Sequence, residues 1–471
     1  MTDAIFDTMG AVLTRWTMGS AAAPAAAMWR DELGNEPAEA ELRLLALSGQ
    51  FLGVAVTAEP PATLHVLPDI PTLALPTVPD ALRSLVRRIL TANKDAQSRT
   101  ELIHFLAARG FTTHPADWMP AAADDDAPDV YASWRDWADI AAANAVSRQP
   151  IGDLITAQNW DDFWPAARKV ALTALRRRDP AAARAVMEAK LGQENADVRL
   201  RLLALLSDEL SDGDAAFLEG LAANDRASKV KALATSLLAR LGHAASPGED
   251  TAELAGFFSV KTKGLLRRSR VIQFENTKTA AQLQRRQTLF DGADVTSLAT
   301  ALGLTPQELV TIWSWGEDKA ADVGLVNAIV QTGTDALVAA AADLVAEQGR
   351  INIVLTLVPR LAPSQRARRT ETALRASELR FEIAKLIAGP AARLDDPLAA
   401  PAGTALITAL RRDDAKPSDQ AVELHALGLI VSRAAARQIL DRLTGAGLLQ
   451  GDPRLDMLRL NAALDDNGAK P

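Results

Sequence analysis

No cysteine occurs anywhere in the 471 residues. Disulfides, thiolate zinc sites and iron–sulfur clusters are thereby excluded, and a reducing cytoplasm is the compartment that fits most simply. Histidine is almost as scarce. His65, His104, His114, His243 and His425 stand far apart in the chain, so only folding could gather two of them beside a carboxylate. Also missing are the His-Glu-x-x-His helix, the Gly-x-Ser-x-Gly elbow and the Gly-x-x-x-x-Gly-Lys phosphate loop. Positive charge is in deficit: a net charge of −8 and a pI near 5.4 argue against bulk nucleic-acid binding. No stretch approaches the roughly 20 apolar residues of a membrane span. Met1 to Gly19 carries Asp3 and Asp7 and no basic cluster ahead of an apolar run, so no signal peptide is expected. These absences predict a soluble, cytoplasmic, non-enzymatic protein with no cofactor and no metal.

What is present is helical in character. Apolar residues make up 48% and aromatics only 4%, with one tyrosine, Tyr131, against nine tryptophans. Abundant alanine and leucine favour helix nearly throughout. Between Trp164 and Gly242 five amphipathic patterns follow one another with little connecting sequence. The first, Pro165 to Arg178, offers Val170, Ala171, Ala174 and Leu175 as its apolar face. Asp179 and Pro180 cap and open the second, with Ala183, Val186, Met187 and Leu191 inward. Asn195 or Asp197 opens a third with Val198, Leu202, Leu205, Leu206 and Leu210, and Asp212 or Asp214 a fourth with Phe217, Leu218 and Leu221. The fifth, Ala227 to Leu241, places Val230, Leu233, Ala234, Leu237, Leu238 and Leu241 on one stripe, with Asp225 as cap and Gly242 as terminator. Val198 and Val230 head matching segments 32 residues apart. The fold class expected is therefore all-α, with HEAT- or armadillo-like repeats in the centre and helical bundles on either side; an irregular bundle is the plainer alternative. Three regions follow: an N-terminal helical region at 1–149, the repeats at 150–245 and a C-terminal helical region at 246–471.

Ahead of the repeats, 3–17 and 38–56 read as helices, the second with Leu42, Leu45, Ala46, Phe51 and Leu52 inward. Six prolines between Pro60 and Pro79 then force an extended strap. Asp80 restarts the helix with Leu82, Leu85, Val86, Ile89 and Leu90 inward and Arg83, Arg87 and Arg88 outward. A second helix, Glu101 to Arg109, ends at Gly110. The loop from Thr112 to Tyr131 holds His114, Asp117, Trp118 and the triplet Asp124, Asp125, Asp126. A calcium loop counted from Asp124 would need glycine where Asp129 stands and glutamate where Arg135 stands, so the triplet reads as a solvated turn. Trp134 and Trp137 follow at helical spacing.

The segment from His114 to Pro120, then Pro128 to Tyr131, Trp134, Trp137, the Asp179-Pro180 helix, and Glu219 and Asp225-Arg226 resemble a bacterial family catalogued only as a domain of unknown function. The resemblance covers Arg109 to Leu241 most fully. It implies a long helical protein, HEAT-like in the middle, encoded near a SWIM zinc-finger protein, a MoxR-type AAA+ ATPase and a von Willebrand factor A domain protein. No catalytic residues come with it.

Beyond Gly242, 257–275 reads either as a short hairpin around Lys263-Gly264 or as continuing helix. The span 261–286 carries eight basic residues and one acid, Glu275. Asp294 to Thr311 has a helix-turn-helix outline without basic side chains on its second helix. Ser432 to Leu449 resembles a winged-helix outline with Arg433, Arg437 and Arg442 exposed. Arg366, Arg368, Arg369, Arg375 and Arg380 form a second, milder basic face. The reading is a protein-interaction scaffold or accessory factor, with an AAA+ ATPase or a von Willebrand factor A domain protein as the partner that the resemblance implies. Candidate contacts are Lys261, Lys263, Arg267, Arg268, Arg270, Trp118, Trp134 and Trp137. A nucleic-acid accessory role, using the basic span or the C-terminal element, is the alternative.

Overall fold

The computed structural model describes residues 69–142, 155–243 and 248–464, apart from short gaps at 93–94, 122–123, 125, 164, 264–268, 276, 278, 378, 413–415, 446–447 and 450, together with scattered positions between 33 and 47. It divides into two units, Met1–Pro68 and Asp69–Pro471. In the first, positions 42–47 are helical and Leu33 and Leu44 are buried. Leu42 and Leu45, read from the sequence as inward, are exposed. The helix expected at 3–17 and the first half of the strap lie outside the described residues.

The second unit is mostly helical. The strap continues as extended chain and docks through Thr77, which pairs in parallel with Thr112: Thr112 N donates to Pro76 O and Val78 N to Thr112 O, each at 2.8 Å. Proline, which has no N–H to give, thus sits where only a carbonyl is needed. Helix α1 (Asp80–Ala92) and α2 (Ala96–Ala108) follow, the second capped by Asp95, whose carboxylate accepts Ser98 N at 2.7 Å. After the loop comes α3 (Ala132–Ala142).

The five central patterns become α4 (Pro165–Arg178), α5 (Pro180–Lys190), α6 (Ala196–Leu203), α7 (Ala215–Asn224) and α8 (Ser228–Arg240). Asp179 and Asn195 act as caps, and Gly242 takes a φ of 91° past the end of α8. Asp225 differs from expectation: its carboxylate bonds Ala227 N, ahead of the helix, and a guanidinium described below, so α8 starts without a side-chain cap. These helices enclose a core of their own, built on Trp160, Leu172, Leu175, Met187, Leu203, Leu206, Leu218, Val230 and Leu237.

Next come α9 (Glu249–Ala255), the strands β1 (Phe258–Lys263) and β2 (Ser269–Phe274), and α10 (Ala280–Asp291). Of the two readings left open for this stretch, the hairpin is the one adopted. Phe258 and Phe274 cover Trp313, and Val260 and Ile272 alternate with polar residues on the same face of the hairpin, an arrangement a helical period could not supply. It is the one sheet among the described residues. The chain then continues through α11 (Val295–Ala301), α12 (Pro306–Ile312), α13 (Lys319–Thr332), α14 (Asp335–Glu347), α15 (Ile351–Leu357), α16 (Pro363–Ala376), α17 (Phe381–Ala388), α18 (Pro401–Leu410), α19 (Pro417–Ile430), α20 (Arg433–Gly445) and α21 (Asp456–Ala463).

A second core gathers residues of 78–111 with residues of 254–464. Sequence-distant elements are tied there by charged bonds. Arg88 grips Asp456 with two bonds of 2.6 and 2.8 Å, Lys385 reaches Glu101 at 2.6 Å, and Arg393 donates to Ala108 O at 2.7 Å. No helix among the described residues is long and apolar enough to cross a membrane.

Candidate partner-binding site

The surfaces expected from sequence fall largely, though not wholly, within the described residues. In the tryptophan-rich loop, the Asp117 side chain is buried and takes Arg83 at 2.8 and 3.1 Å, with Arg87 at 3.3 Å. Arg83 is thus turned to the loop, not outward, and its hydrogen bond holds the Asp117 carboxyl below the usual range. Tyr131 is buried, bonds Thr113 through its hydroxyl and stacks between Trp118, edge-on at 5.3 Å, and Trp134. Trp134, named above as a partner contact, is 3% exposed, and its indole N–H is spent on Pro71 O at 2.7 Å. That is a correction: the indole staples the strap to α3. Trp118 and Trp137 remain partly exposed.

The basic span is not one free patch. Lys261 is exposed and Arg270 is half-exposed, the latter paired with Glu308 on α12 at 3.2 Å. Lys263 pairs with Ser269 in the hairpin register, and Arg267, Arg268 and Lys278 lie outside the described residues. Arg285 is held by Glu253 and Asp250, and Arg286 is buried with Asp318 at 2.6 Å. The milder basic face divides likewise, since Arg369 is buried and donates to Ala339 O and Asp343. In the C-terminal element, Arg433 and Arg437 both donate to Ala462 O at the end of α21, where a helix leaves carbonyls without partners. Among the described residues no three histidine, aspartate or glutamate side chains are grouped closely enough to hold a metal ion.

A groove that the sequence did not single out lies between α5 and α7. It is a shallow, open depression of about 370 Å³, with Glu188 on one side and Ala216, Phe217, Gly220 and Leu221 on the other. The four α7 positions follow i, i+1, i+4 and i+5, so they form one apolar stripe. Leu218 is the buried residue of that helix, while Phe217 and Leu221 are only half-buried. Gly220 is the informative member. It sits inside a helix, where glycine costs about 1 kcal/mol relative to alanine, yet a Cβ built on it meets nothing within 4 Å.

Behind the groove, ion pairs set the spacing of the helices. Arg168 on α4 reaches Glu194 ahead of α6 at 2.7 Å and stacks its guanidinium over Trp160, 4.9 Å from the ring centre. Arg199 on α6 reaches Asp225 ahead of α8 with bonds of 2.9 and 3.0 Å. Both pairs span 26 residues.

These features define a large, mostly helical protein with more than one hydrophobic core among the described residues. The chain belongs to a family of unknown function, DUF5691, which it matches over residues 14–457. The likeness first seen between Arg109 and Leu241 thus extends over most of the sequence. No curated protein and no solved structure matches the chain.

Proposed function

We propose that this protein is a non-enzymatic scaffold that holds other proteins, and that the groove between α5 and α7 is one of its contact surfaces. The single observation that carries the reading is Gly220. A Cβ added there would meet nothing within 4 Å, so the fold would gain from alanine, whereas a partner entering the groove would have use for the missing side chain. The recurring Arg168–Glu194 and Arg199–Asp225 pairs support a HEAT-like stack for α4 to α8, in which α5 and α7 would be second helices of successive repeats. Grooves between such helices form extended binding faces. Glu188 and Glu219 beside the apolar stripe favour a partner that carries an apolar side chain flanked by basic ones. Resemblance to the bacterial family points to an AAA+ ATPase or a von Willebrand factor A domain protein, in the cytoplasm.

The test uses the full chain and its Gly220 variants against a purified AAA+ ATPase and a purified von Willebrand factor A domain protein, the two partner classes that the resemblance implies. G220A is expected to melt higher, by about 1 kcal/mol of stability, and G220W to stay folded but lose at least about tenfold in affinity, the equivalent of 1.4 kcal/mol. Undiminished binding by G220W would remove the groove from the reading. Capture of nucleic acid alone, released by salt, would replace the scaffold with the nucleic-acid role.

A further inference from the structure

Among the described residues the hairpin has one closed edge and one open edge. Glu275 N donates to Phe257 O at 2.9 Å, which makes 257 and 275 a hydrogen-bonded pair. Counting along the register, 259 with 273 and 261 with 271 are bonded in the same way. Phe258, Val260 and Thr262 on β1, and Arg270, Ile272 and Phe274 on β2, therefore direct their backbone groups away from each other. On β2 that outer edge is used: Ser314 donates its hydroxyl to Ile272 O at 2.8 Å, and Glu308 holds Arg270. On β1 no described residue bonds the backbone of Val260 or Thr262. An unpaired strand edge is a template for another strand.

We propose that the free edge of β1 is an addition site for an extended, acidic segment of another protein. Three observations favour it. The edge is held in place, because Phe258 and Phe274 pack on Trp313 with ring centres 5.1 and 5.0 Å away, and little ordering is left for binding to do. On the face turned from that core, Lys261 is the exposed cation, and the one acid, Glu275 at the end of β2, is taken up by the Ser259 hydroxyl at 2.8 Å. Nothing among the described residues pairs with Lys261. A second copy of β1 would bring lysine against lysine, so the charge selects an acidic strand over self-pairing. The site is independent of the groove between α5 and α7, and either can fail without the other.

The experiment measures fluorescence anisotropy of a labelled peptide of about eight residues, alternating valine and glutamate, titrated with the full-length protein. Binding is expected, weakening with salt. T262P is expected to reduce it about tenfold or more, since proline removes an edge donor while sparing the bonds to β2. Circular dichroism checks that the variant keeps its fold. Independently, N-methylation of the peptide's strand-facing amides should abolish binding to the unaltered protein. K261E should reverse the preference toward a valine–lysine peptide. Absence of binding, equal binding by T262P and wild type, tolerance of the N-methylated peptide, or wild-type binding of the valine–lysine peptide as tightly as the acidic one would each overturn the proposal. So would tight binding of single-stranded DNA that T262P leaves unchanged.

Discussion

Replacing Arg176 by methionine is expected to cost about 3–5 kcal/mol, because a fully buried ion pair would lose one member. Arg176 and Asp214 have side chains that are 0% exposed, joined by bonds of 3.0 and 2.6 Å. The guanidinium also donates to Asp208 O and Glu209 O at 2.8 Å and to Pro180 O at 3.1 Å. Glu209 has a φ of 52°, an uncommon conformation for a residue with a side chain. One arginine thus satisfies the carbonyls of the turn after α6 and ties α4 to the start of α7. Removing it takes a donor from those carbonyls and strands most of the buried Asp214 charge, although Arg184 still reaches Asp214 at 3.1 Å. Urea denaturation of R176M, followed by hydrogen exchange, should show the loss concentrated in 165–243, where that core lies. R176M combined with D214L should recover much of it, because the desolvated charge is then gone. An R176M variant within about 0.5 kcal/mol of wild type would show that the pair adds nothing net.

The same pair fixes a pH dependence. Burial pushes the Asp214 carboxyl up, but hydrogen bonds from Arg176, Ser211 and Arg184 outweigh it and the net shift is downward. A carboxyl held lower in the folded state binds fewer protons than in the unfolded chain, so stability rises with pH across that interval. The contribution is complete above the ordinary aspartate value of 3.8 and is lost as pH falls below it toward the depressed folded value. D214N should be less stable than wild type at neutral pH and should flatten this acid limb.

Much of the helical outline could be read from residue types alone, because caps and terminators act locally. Pro165 to Arg178, the Asp179-Pro180 start, the Asn195 cap and the glycine after α8 each rest on a few adjacent residues. Which face turned inward was read less well. On α4 the expected stripe was Val170, Ala171, Ala174 and Leu175, whereas Leu172, Leu175 and Arg176 are buried and Val170 is 47% exposed. Periodicity counts arginine as outward, but a guanidinium can be buried where neighbouring helix ends present carbonyls to its fixed fork of donors. Arg286, buried with Asp318, and Arg369, buried with Asp343 and Ala339 O, are counted as outward by periodicity in the same way, and each takes one cation from its basic face. The groove was hidden differently. Gly220 reads in sequence as one more glycine in a helix, and its meaning depends on α5, whose position no local signal gives. Packing of α1 and α2 with the C-terminal helices depends on pairs such as Arg88 with Asp456, hundreds of residues apart, and sequence spacing carries no trace of these.

Gly428→Ala, by contrast with Gly220→Ala, is expected to destabilise by about 3 kcal/mol, at the upper end of what overpacking commonly costs. Both glycines lie inside helices, so propensity alone predicts the same gain of about 1 kcal/mol for each. Their surroundings reverse the sign. At Gly428 a Cβ would stand 2.8 Å from Leu458 N and 2.8 Å from Met457 C, both backbone atoms of α21 that cannot swing aside. The close approach is fixed by buried Asn461, whose amide donates to Gly428 O and Val431 O at 2.8 and 2.9 Å. Any displacement of α21 must lengthen those bonds and disturb Asp456, the partner of Arg88, so α1 should exchange its amide hydrogens faster in G428A as well. Thermal melts of G220A and G428A beside wild type decide the matter in one comparison. Shifts of opposite sign would mean that α19 needs its glycine to let α21 approach, while α7 carries one that its own fold does not require. Equal stabilisation would leave Gly428 without a packing role; equal destabilisation would give Gly220 a structural reason and take away the observation on which the groove rests.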